Sequence, residues 1–363
     1  MKLLQELVAI DSTSVRSNLP VLDVLEREAR RLGFQTRRQL WTDAAGVPKG
    51  NLIARRGEGA AGGLALVGHT DCVPFDPAWS GALEGKLDDG KLFGRGAADT
   101  KAFIAASLDA VGRARKAGLL WLIFTADEEV GCLGARRLVE EGVVRPRRAI
   151  VGEPTRMVPV LGHKGYCLAE IVITGMEGHS AYPETGASAV LAAGRVLREL
   201  EFVQEELKAD ADPVFSPAWT TLNVGLISGG KAKNVIPGSC TLTLEWRPLP
   251  RQDPQRVLTL VQEACARVAS GRISVEVKPQ RLDAGVAVPA GSELVQFLRE
   301  QSGNAPETIP FGTELPYLTA LGAEACVFGP GDIRVAHRTG EYVSLADLEK
   351  ATTILTAAIE KFS

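Results

Sequence analysis

The chain has 363 residues, of which 45% are hydrophobic and 23% charged, a balance that is typical of a globular protein and excludes a largely disordered one. With 41 Lys and Arg against 44 Asp and Glu, the net charge of −3 gives no polybasic surface for nucleic acid. No apolar run approaches the roughly 20 residues that cross a bilayer, and the six Cys form no Cys-x-x-Cys pair, which is typical of reduced thiols. We therefore expect a soluble, cytoplasmic α/β protein that binds neither nucleic acid nor membranes.

The first residues are predicted to form a helix and not a signal peptide, because acidic residues interrupt a short apolar stretch. Further along, unbroken apolar runs at 64–67, 119–124 and 149–151 predict strands of a sheet that is covered on both faces. A helical pattern over 101–116 separates the first two runs. This strand–helix–strand order predicts parallel strands.

The pattern changes after about residue 165. Segments 167–174 and 240–246 alternate between apolar and polar residues, as half-buried antiparallel strands do. Helices are predicted at about 186–208 and 253–269, and a strand at 273–278. The resulting β-α-β-β-α-β order fits a small α+β domain of the ferredoxin-like type.

The α/β pattern then returns, with a helix at 291–302, a strand at 325–328 and a last helix near 344–361. We therefore predict an α/β domain with a mostly parallel sheet and helices on both faces, interrupted by the smaller α+β domain. The predicted segments cover residues 1–164, 165–281 and 282–363.

Acidic residues follow all three of the predicted parallel strands, and a histidine also follows the first. His69 and Asp71 follow the first strand, Glu128 and Glu129 follow the second, and Glu153 follows the third. Because the carboxyl ends of parallel strands share one edge of a sheet, we expect these side chains to lie close together.

Two further candidates, Asp99 and His337, lie in Gly-rich loops that can reach the same edge. Each residue alone is more often an ordinary polar residue than a metal ligand, but so many acidic groups in one place cost several kcal/mol unless a cation neutralises them. Imidazole and carboxylate ligands without thiolates favour Zn²⁺ or a similar divalent ion, and this set suits two ions that share one carboxylate. In the adjacent pair Glu128 and Glu129, one side chain can bind metal while the other stays free as a base.

Asp71 lies two residues after His69 and is placed to hold the second ring nitrogen of that imidazole. Other hydrolase classes lack their motifs, because the chain has neither His-Glu-x-x-His nor Gly-x-Ser-x-Gly. A metal-dependent site at the sheet edge is therefore the favoured hypothesis.

The motifs at these positions resemble those of a known family. Gly-His-Thr-Asp at 68–71, Gly-Arg-Gly-Ala-Ala-Asp-Thr-Lys at 94–101 and Ala-Asp-Glu-Glu-Val-Gly at 126–131 are similar to those of the two-zinc amidohydrolases and metallopeptidases. That family includes acetylornithine deacetylase, succinyl-diaminopimelate desuccinylase, aminoacylase and carboxypeptidase G. Within it, Gly-His-Lys-Gly at 162–165 and Thr-Glu-Leu-Pro at 313–316 are most similar to motifs of the acetylornithine deacetylases.

The resemblance implies a set of metal ligands and a base. One Zn²⁺ would bind His69, Asp99 and Glu153, and a second Zn²⁺ in the same subunit would bind Glu129, Asp99 and His337. Co²⁺ would substitute for Zn²⁺. Asp99 would bridge the two ions through a cis peptide to Thr100, and Glu128 would be the general base.

The resemblance also implies that the inserted domain is a lid through which the protein forms a homodimer. His179 would reach into the partner's site and stabilise the oxyanion. The substrate carboxylate would bind Asn234, Arg247, Gly312 and Thr313.

The implied reaction is hydrolysis of the N-acetyl amide of an N-acetyl-L-amino acid. The expected substrate is N-acetyl-L-ornithine, which would give L-ornithine and acetate in arginine biosynthesis. The alternatives are an N-acetyl-L-citrulline deacetylase, a desuccinylase-like enzyme, a broader aminoacylase or dipeptidase, and, outside the class, a non-catalytic metal-binding homologue.

Overall fold

The computed structural model describes residues 1–363. The helices are α1 (Lys2–Val8), α2 (Leu19–Arg31), α3 (Ala102–Arg113), α4 (Leu133–Glu141), α5 (Ala189–Leu207), α6 (Pro254–Val268), α7 (Glu293–Ser302), α8 (Leu315–Ala320) and α9 (Leu345–Phe362). The strands are β1 (Gln35–Thr42), β2 (Pro48–Arg56), β3 (Leu64–His69), β4 (Lys86–Asp88), β5 (Lys91–Phe93), β6 (Leu120–Thr125), β7 (Arg148–Val151), β8 (Val160–His163), β9 (Tyr166–Thr174), β10 (Gly178–His179), β11 (Thr221–Gly229), β12 (Val235–Ile236), β13 (Ser239–Arg247), β14 (Ser274–Asp283), β15 (Val286–Ala287), β16 (Glu307–Ile309), β17 (Glu324–Val327) and β18 (Tyr342–Ser344).

The chain forms two compact units. The first unit comprises Met1–Leu161, Val288–Glu307 and Thr313–Ser363, and the second comprises Gly162–Ala287 and Thr308–Gly312. None of the helices combines the length and the apolar character that a membrane span needs.

The first unit contains a sheet whose strand order is β1-β2-β6-β3-β7-β17-β8. The four central strands, β6, β3, β7 and β17, run parallel, which confirms the parallel arrangement predicted from the apolar runs. Every residue of β3 and β6 is buried, as expected for strands covered on both faces. The antiparallel strands β1, β2 and β8 at the two edges of the sheet were not predicted.

Helix α3 packs closely against the ends of the central strands because glycine occupies the contact positions. A Cβ atom at Gly152 would lie 2.1 Å from Cδ1 of Phe103, a buried residue of α3. At Gly68 a Cβ atom would lie 3.0 Å from Cγ1 of Ile104. Each of these glycines directly precedes a candidate metal ligand. The close packing therefore fixes the distance of those ligands from α3.

The second unit contains an antiparallel sheet with strand order β11-β13-β9-β14. Buried and partly exposed residues alternate along β9 and β13, and the buried ones pack with buried residues of α5 and α6 in one core cluster. The chain order β9-α5-β11-β13-α6-β14 is the predicted ferredoxin-like order. The predicted role of this region as a lid and dimerisation domain stays a prediction.

His163, the last residue of β8, is a buried histidine outside the predicted site. Its Nδ1–H donates a hydrogen bond to the carbonyl oxygen of Lys164 at 2.8 Å. Burial lowers the pKa of His163 to about 4, so the imidazole is neutral in the folded protein at pH 7.

We expect this histidine to make the protein acid-sensitive. Because its pKa is lower in the folded than in the unfolded state, its contribution to stability is fully present above about pH 6.5 and is lost as the pH falls toward 4. The free energy of unfolding should fall by about 2 kcal/mol more between pH 7 and pH 5 in the native protein than in His163→Asn. Urea unfolding at the two pH values measures this difference, and an equal pH dependence in both proteins would contradict it.

Candidate active site

Three neighbouring strands end at the same edge of the central sheet and present polar side chains there. His69 is the last residue of β3, and its neighbour β6 ends at Thr125, just before Glu128 and Glu129. On the other side, β7 ends at Val151, two residues before Glu153. Because β3 pairs in parallel with both β6 and β7, the three sets of side chains lie at one edge.

Asp99 lies between the two histidines of this edge. It belongs to the turn Ala97–Lys101 that leads into α3, and the peptide bond from Asp99 to Thr100 is cis. Its Oδ1 is 3.0 Å from Nε2 of His69, and its Oδ2 is 3.1 Å from Nε2 of His337. The two oxygens of one carboxylate therefore face two different imidazoles.

Five side chains form two groups with the spacing of metal ligands. The ligand atoms within each group all lie within 4.8 Å of one another, and Asp99 is common to both groups. The groups are His69, Asp99 and Glu153, and Asp99, Glu129 and His337. The structure thus brings together the residues named from the sequence, and their role as metal ligands stays a prediction.

The donor chemistry of these groups fits divalent cations. Imidazole nitrogens and carboxylate oxygens, with no thiolate among them, suit Zn²⁺ or a similar ion. Burial raises the pKa of Glu153 well above its usual value, and nearby Asp99 and Glu128 raise it further. Burial also raises the pKa of Glu129. A divalent cation bound here would lower both pKa values and so favour the ionised carboxylates.

The surrounding carboxylates raise the pKa values of both imidazoles. Burial opposes protonation of His69, but the carboxylates of Asp71 and Asp99 raise its pKa well above the usual value. Hydrogen bonds to Asp99 and Glu129 raise the pKa of His337 to about 10. The side chain of His337 is 47% exposed while that of His69 is 1% exposed, so the cluster is open to solvent on the His337 side.

Glu128 has the properties of a general base next to this cluster. Its Oε1 accepts a hydrogen bond from the thiol of Cys132 at 3.4 Å. Desolvation raises the pKa of Glu128 to about 8, although the charge of His69 opposes the shift. A carboxyl group whose pKa lies near neutrality can both accept a proton and return it.

Asp71 holds the turn that carries Glu128 and Glu129. Its carboxylate accepts the backbone N–H groups of these two residues at 3.0 and 3.3 Å and the hydroxyl of Ser14 at 2.7 Å. The nearest carboxylate oxygen is 3.6 Å from Nδ1 of His69, whereas the backbone carbonyl oxygen of Asp71 is 3.0 Å from the same nitrogen. The sequence predicted that Asp71 holds this nitrogen, and it is the main chain of Asp71 that makes the hydrogen bond, because the carboxylate is turned toward the 128–129 turn.

Sequence reasoning missed two buried charged residues near this turn. Lys49 donates hydrogen bonds of 2.6 Å to Asp127 and to the carbonyl oxygen of Ser14. Glu314 is 1% exposed, one of its oxygens has no hydrogen-bond partner, and burial raises its pKa to about 7. For Glu314 the signal was available in the motif at 313–316, whereas nothing local distinguishes Lys49.

Four of the five remaining candidates lie in the second unit. His179 and Asn234 are exposed there, Gly312 is exposed, and Arg247 stacks its guanidinium on the ring of Tyr166 at 4.8 Å. Thr313 belongs to the first unit and is buried. Their part in substrate binding or catalysis stays a prediction.

Comparisons with known proteins place the chain in a family. The sequence profile of "Peptidase family M20/M25/M40" matches residues 65–361. The chain is 52% identical over 366 residues to an acetylornithine deacetylase from Myxococcus xanthus, covering 99% of this chain and 96% of the relative. It is 35% identical over 365 residues to an acetylornithine deacetylase from Proteus mirabilis (strain HI4320), covering 98% and 92% of the two chains.

The fold is also found in a solved structure. A tripeptidase from Staphylococcus aureus matches with a TM-score of 0.79 at 22% identity, and the match covers 99% of this chain and 96% of that chain. The chain belongs to peptidase family M20/M25/M40. It is a hydrolase that acts on amide bonds.

We expect the two ligand groups to bind divalent ions that share Asp99. Glu153→Gln and His337→Gln each change one group only. Each substitution should therefore weaken the binding step of one Co²⁺ ion and leave the affinity for the other ion unchanged. Asp99→Asn changes both groups and should weaken both steps by roughly 10–100-fold or more. Calorimetric titration of the metal-free protein with Co²⁺ measures the steps.

The exposed Asp88 of β4 provides the matched control, because Asp88→Asn removes a carboxylate that belongs to neither ligand group. If Asp99→Asn binds Co²⁺ as tightly as Asp88→Asn does, Asp99 is not a shared ligand.

Proposed function

We propose that this protein is a metal-dependent deacetylase that hydrolyses N-acetyl-L-ornithine to L-ornithine and acetate in arginine biosynthesis. The observation that carries the proposal is the pair of ligand groups that share Asp99, with Glu128 beside them. The two relatives described above are both named acetylornithine deacetylase, which supports this substrate over other N-acyl amino acids.

We further propose that the two groups hold two Zn²⁺ ions in each subunit and that Co²⁺ can replace them. Bound cations of this kind polarise an amide carbonyl and make a water molecule more acidic. The exposed side of His337 leaves room for a substrate to approach the cluster.

Glu128 moves the proton in this reaction. The carboxylate accepts a proton from the attacking water and returns it to the amide nitrogen as the C–N bond breaks, which gives acetate and a free amine. The backbone hydrogen bonds from Glu128 and Glu129 to Asp71 hold the turn in place during both transfers. The thiol of Cys132 restrains the same carboxylate.

His179 is proposed to stabilise the oxyanion, acting from the partner subunit. Its Nδ1 accepts the backbone N–H of Ala181 at 3.1 Å. A neutral imidazole that accepts at Nδ1 carries its proton at Nε2, so His179 presents an N–H donor at its outer nitrogen. Such a donor contributes about 3–4 kcal/mol when it is well placed against a developing oxyanion.

Arg247 is proposed to bind the substrate carboxylate together with Asn234 and the backbone at Gly312 and Thr313. Its guanidinium is held by stacking on Tyr166 and by a hydrogen bond to the carbonyl oxygen of Pro310 at 3.2 Å. A preorganised guanidinium matches the planar carboxylate of an amino acid in a bidentate way.

The homodimer is also part of the proposal, with residues 165–281 as the region of contact. β11 is an edge strand of the second unit's sheet, and it exposes Leu226 and Ile227. An exposed apolar edge strand offers a surface that a second copy can cover.

Comparison of substrates tests the proposed function. We expect N-acetyl-L-ornithine to give a kcat/KM at least roughly tenfold above those of N-acetyl-L-citrulline, N-acetyl-L-methionine and a dipeptide, because a matched charged side chain adds binding energy in the transition state. Activity should disappear in EDTA and return with Zn²⁺ or Co²⁺. A higher kcat/KM for another compound would reassign the substrate, and inactivity with all four would favour a non-catalytic homologue.

Glu128→Gln tests the assignment of the base. Because an amide cannot take up the proton, kcat should fall by about 10²–10⁴-fold while the affinity for Co²⁺ changes little. Glu140→Gln, at an exposed position of α4, is the control that should keep full activity. Retained activity in Glu128→Gln would show that another group takes the proton.

A further inference from the structure

We propose that Glu341 is a positioning residue for the candidate bridging ligand Asp99. The inference rests on the proposed metal-dependent function, because positioning of Asp99 matters only where metal ions bind. Glu341 belongs to none of the ligand groups, and it lies four residues after His337 on the same segment of chain.

The carboxylate of Glu341 is hydrogen-bonded to the backbone of the turn that carries Asp99. Its Oε1 accepts the N–H of Ala98 at 3.0 Å and the N–H of Asp99 itself at 3.1 Å. The side chain of Glu341 has no exposure to solvent, so these contacts do not compete with water.

The backbone N–H groups of this turn need a hydrogen-bond acceptor from elsewhere in the chain. Asp99 has φ −116° and ψ 92°, which is not helical, so α3 does not continue back through Asp99. The N–H groups of Ala98 and Asp99 therefore lie outside the regular hydrogen bonding of α3, and Glu341 satisfies both of them with one oxygen.

Arg95 balances the charge of Glu341. Its Nη1 donates to Oε2 of Glu341 at 2.6 Å, and the guanidinium is buried and stacks on Trp79. The N–H of Gly94 donates to the backbone carbonyl oxygen of Glu341 at 2.9 Å. Glu341 thus connects both ends of the segment from Gly94 to Asp99, and the segment cannot shift without breaking several buried hydrogen bonds.

The position of Asp99 controls both ligand groups together. Each carboxylate oxygen of Asp99 faces a different histidine at 3.0–3.1 Å. A small rotation of the backbone would therefore move one oxygen toward its histidine and the other oxygen away from its own. Metal affinity depends on such outer contacts, and their loss typically costs 10–100-fold.

The experiment uses Glu341→Gln, which keeps the size of the side chain. A glutamine offers one carbonyl oxygen in place of two carboxylate oxygens, so its NH₂ group must face either Arg95 or the backbone N–H groups. We expect both Co²⁺-binding steps of the metal-free protein to weaken by roughly 10–100-fold, with a changed visible absorption spectrum of the Co²⁺-loaded protein. Excess metal should restore kcat, and KM should stay unchanged.

Glu324→Gln is the matched control. The carboxylate of Glu324, also in the first unit, likewise accepts hydrogen bonds from an arginine and from a backbone N–H. The donors are Nε of Arg148 at 3.0 Å and the N–H of Leu294 at 2.9 Å. Glu324 contacts neither ligand group, so this variant should lose thermal stability as Glu341→Gln does and keep the native Co²⁺ affinity and spectrum.

Unchanged Co²⁺ affinity in Glu341→Gln, or an equal loss in Glu324→Gln, overturns the proposal. If Glu341→Gln does not fold, Glu341→Asp carries the test, because it keeps the negative charge that balances Arg95 but withdraws the carboxylate from Ala98 and Asp99 by one methylene. Its expected result is the same weakening of both steps. Binding of Co²⁺ is measured without substrate, so a wrong substrate assignment leaves this result unaffected.

Discussion

The structure depends on how it balances negative charge at one edge of the central sheet. Two supporting carboxylates have permanent cations: Lys49 lies 2.6 Å from Asp127, and Arg95 lies 2.6 Å from Glu341. The carboxylates of the two ligand groups have only imidazoles beside them. Fixed cations therefore neutralise these two supporting carboxylates, whereas no lysine or arginine is paired with the carboxylates of the ligand groups.

The framework and the reactive groups come from different parts of the fold. Parallel strands with fully buried residues bring His69 and Glu153 to the edge with little freedom to move. Asp99, Glu128 and Glu129 lie on turns instead, and buried polar residues hold those turns through backbone N–H groups. The turns place side chains at positions that a strand cannot reach. The buried hydrogen bonds give these turns a rigidity comparable to that of the strands.

The sequence alone predicted the parts of the molecule that local pattern determines. Unbroken apolar runs predicted the parallel strands, and the residues after them predicted the edge where His69, Glu129 and Glu153 meet. The edge strand Gln35–Thr42 escaped prediction because it is largely polar and its burial is partial. Two supporting residues escaped prediction because their contacts are long-range: Glu341 is 242 residues from Asp99, and Lys49 is 78 residues from Asp127.

The discontinuity of the first unit has a consequence for biosynthesis. The second unit is made before the chain that completes the first, because β17 joins β7 only after the intervening residues have been translated. His337 and Glu341 leave the ribosome later still. The inserted unit is therefore fully translated while the parallel sheet of the first unit is unfinished, and such long-range pairing is slow. Of the two candidate ligand groups, the one formed by His69, Asp99 and Glu153 is translated before the inserted unit, whereas the group that contains His337 is completed only near the end of synthesis.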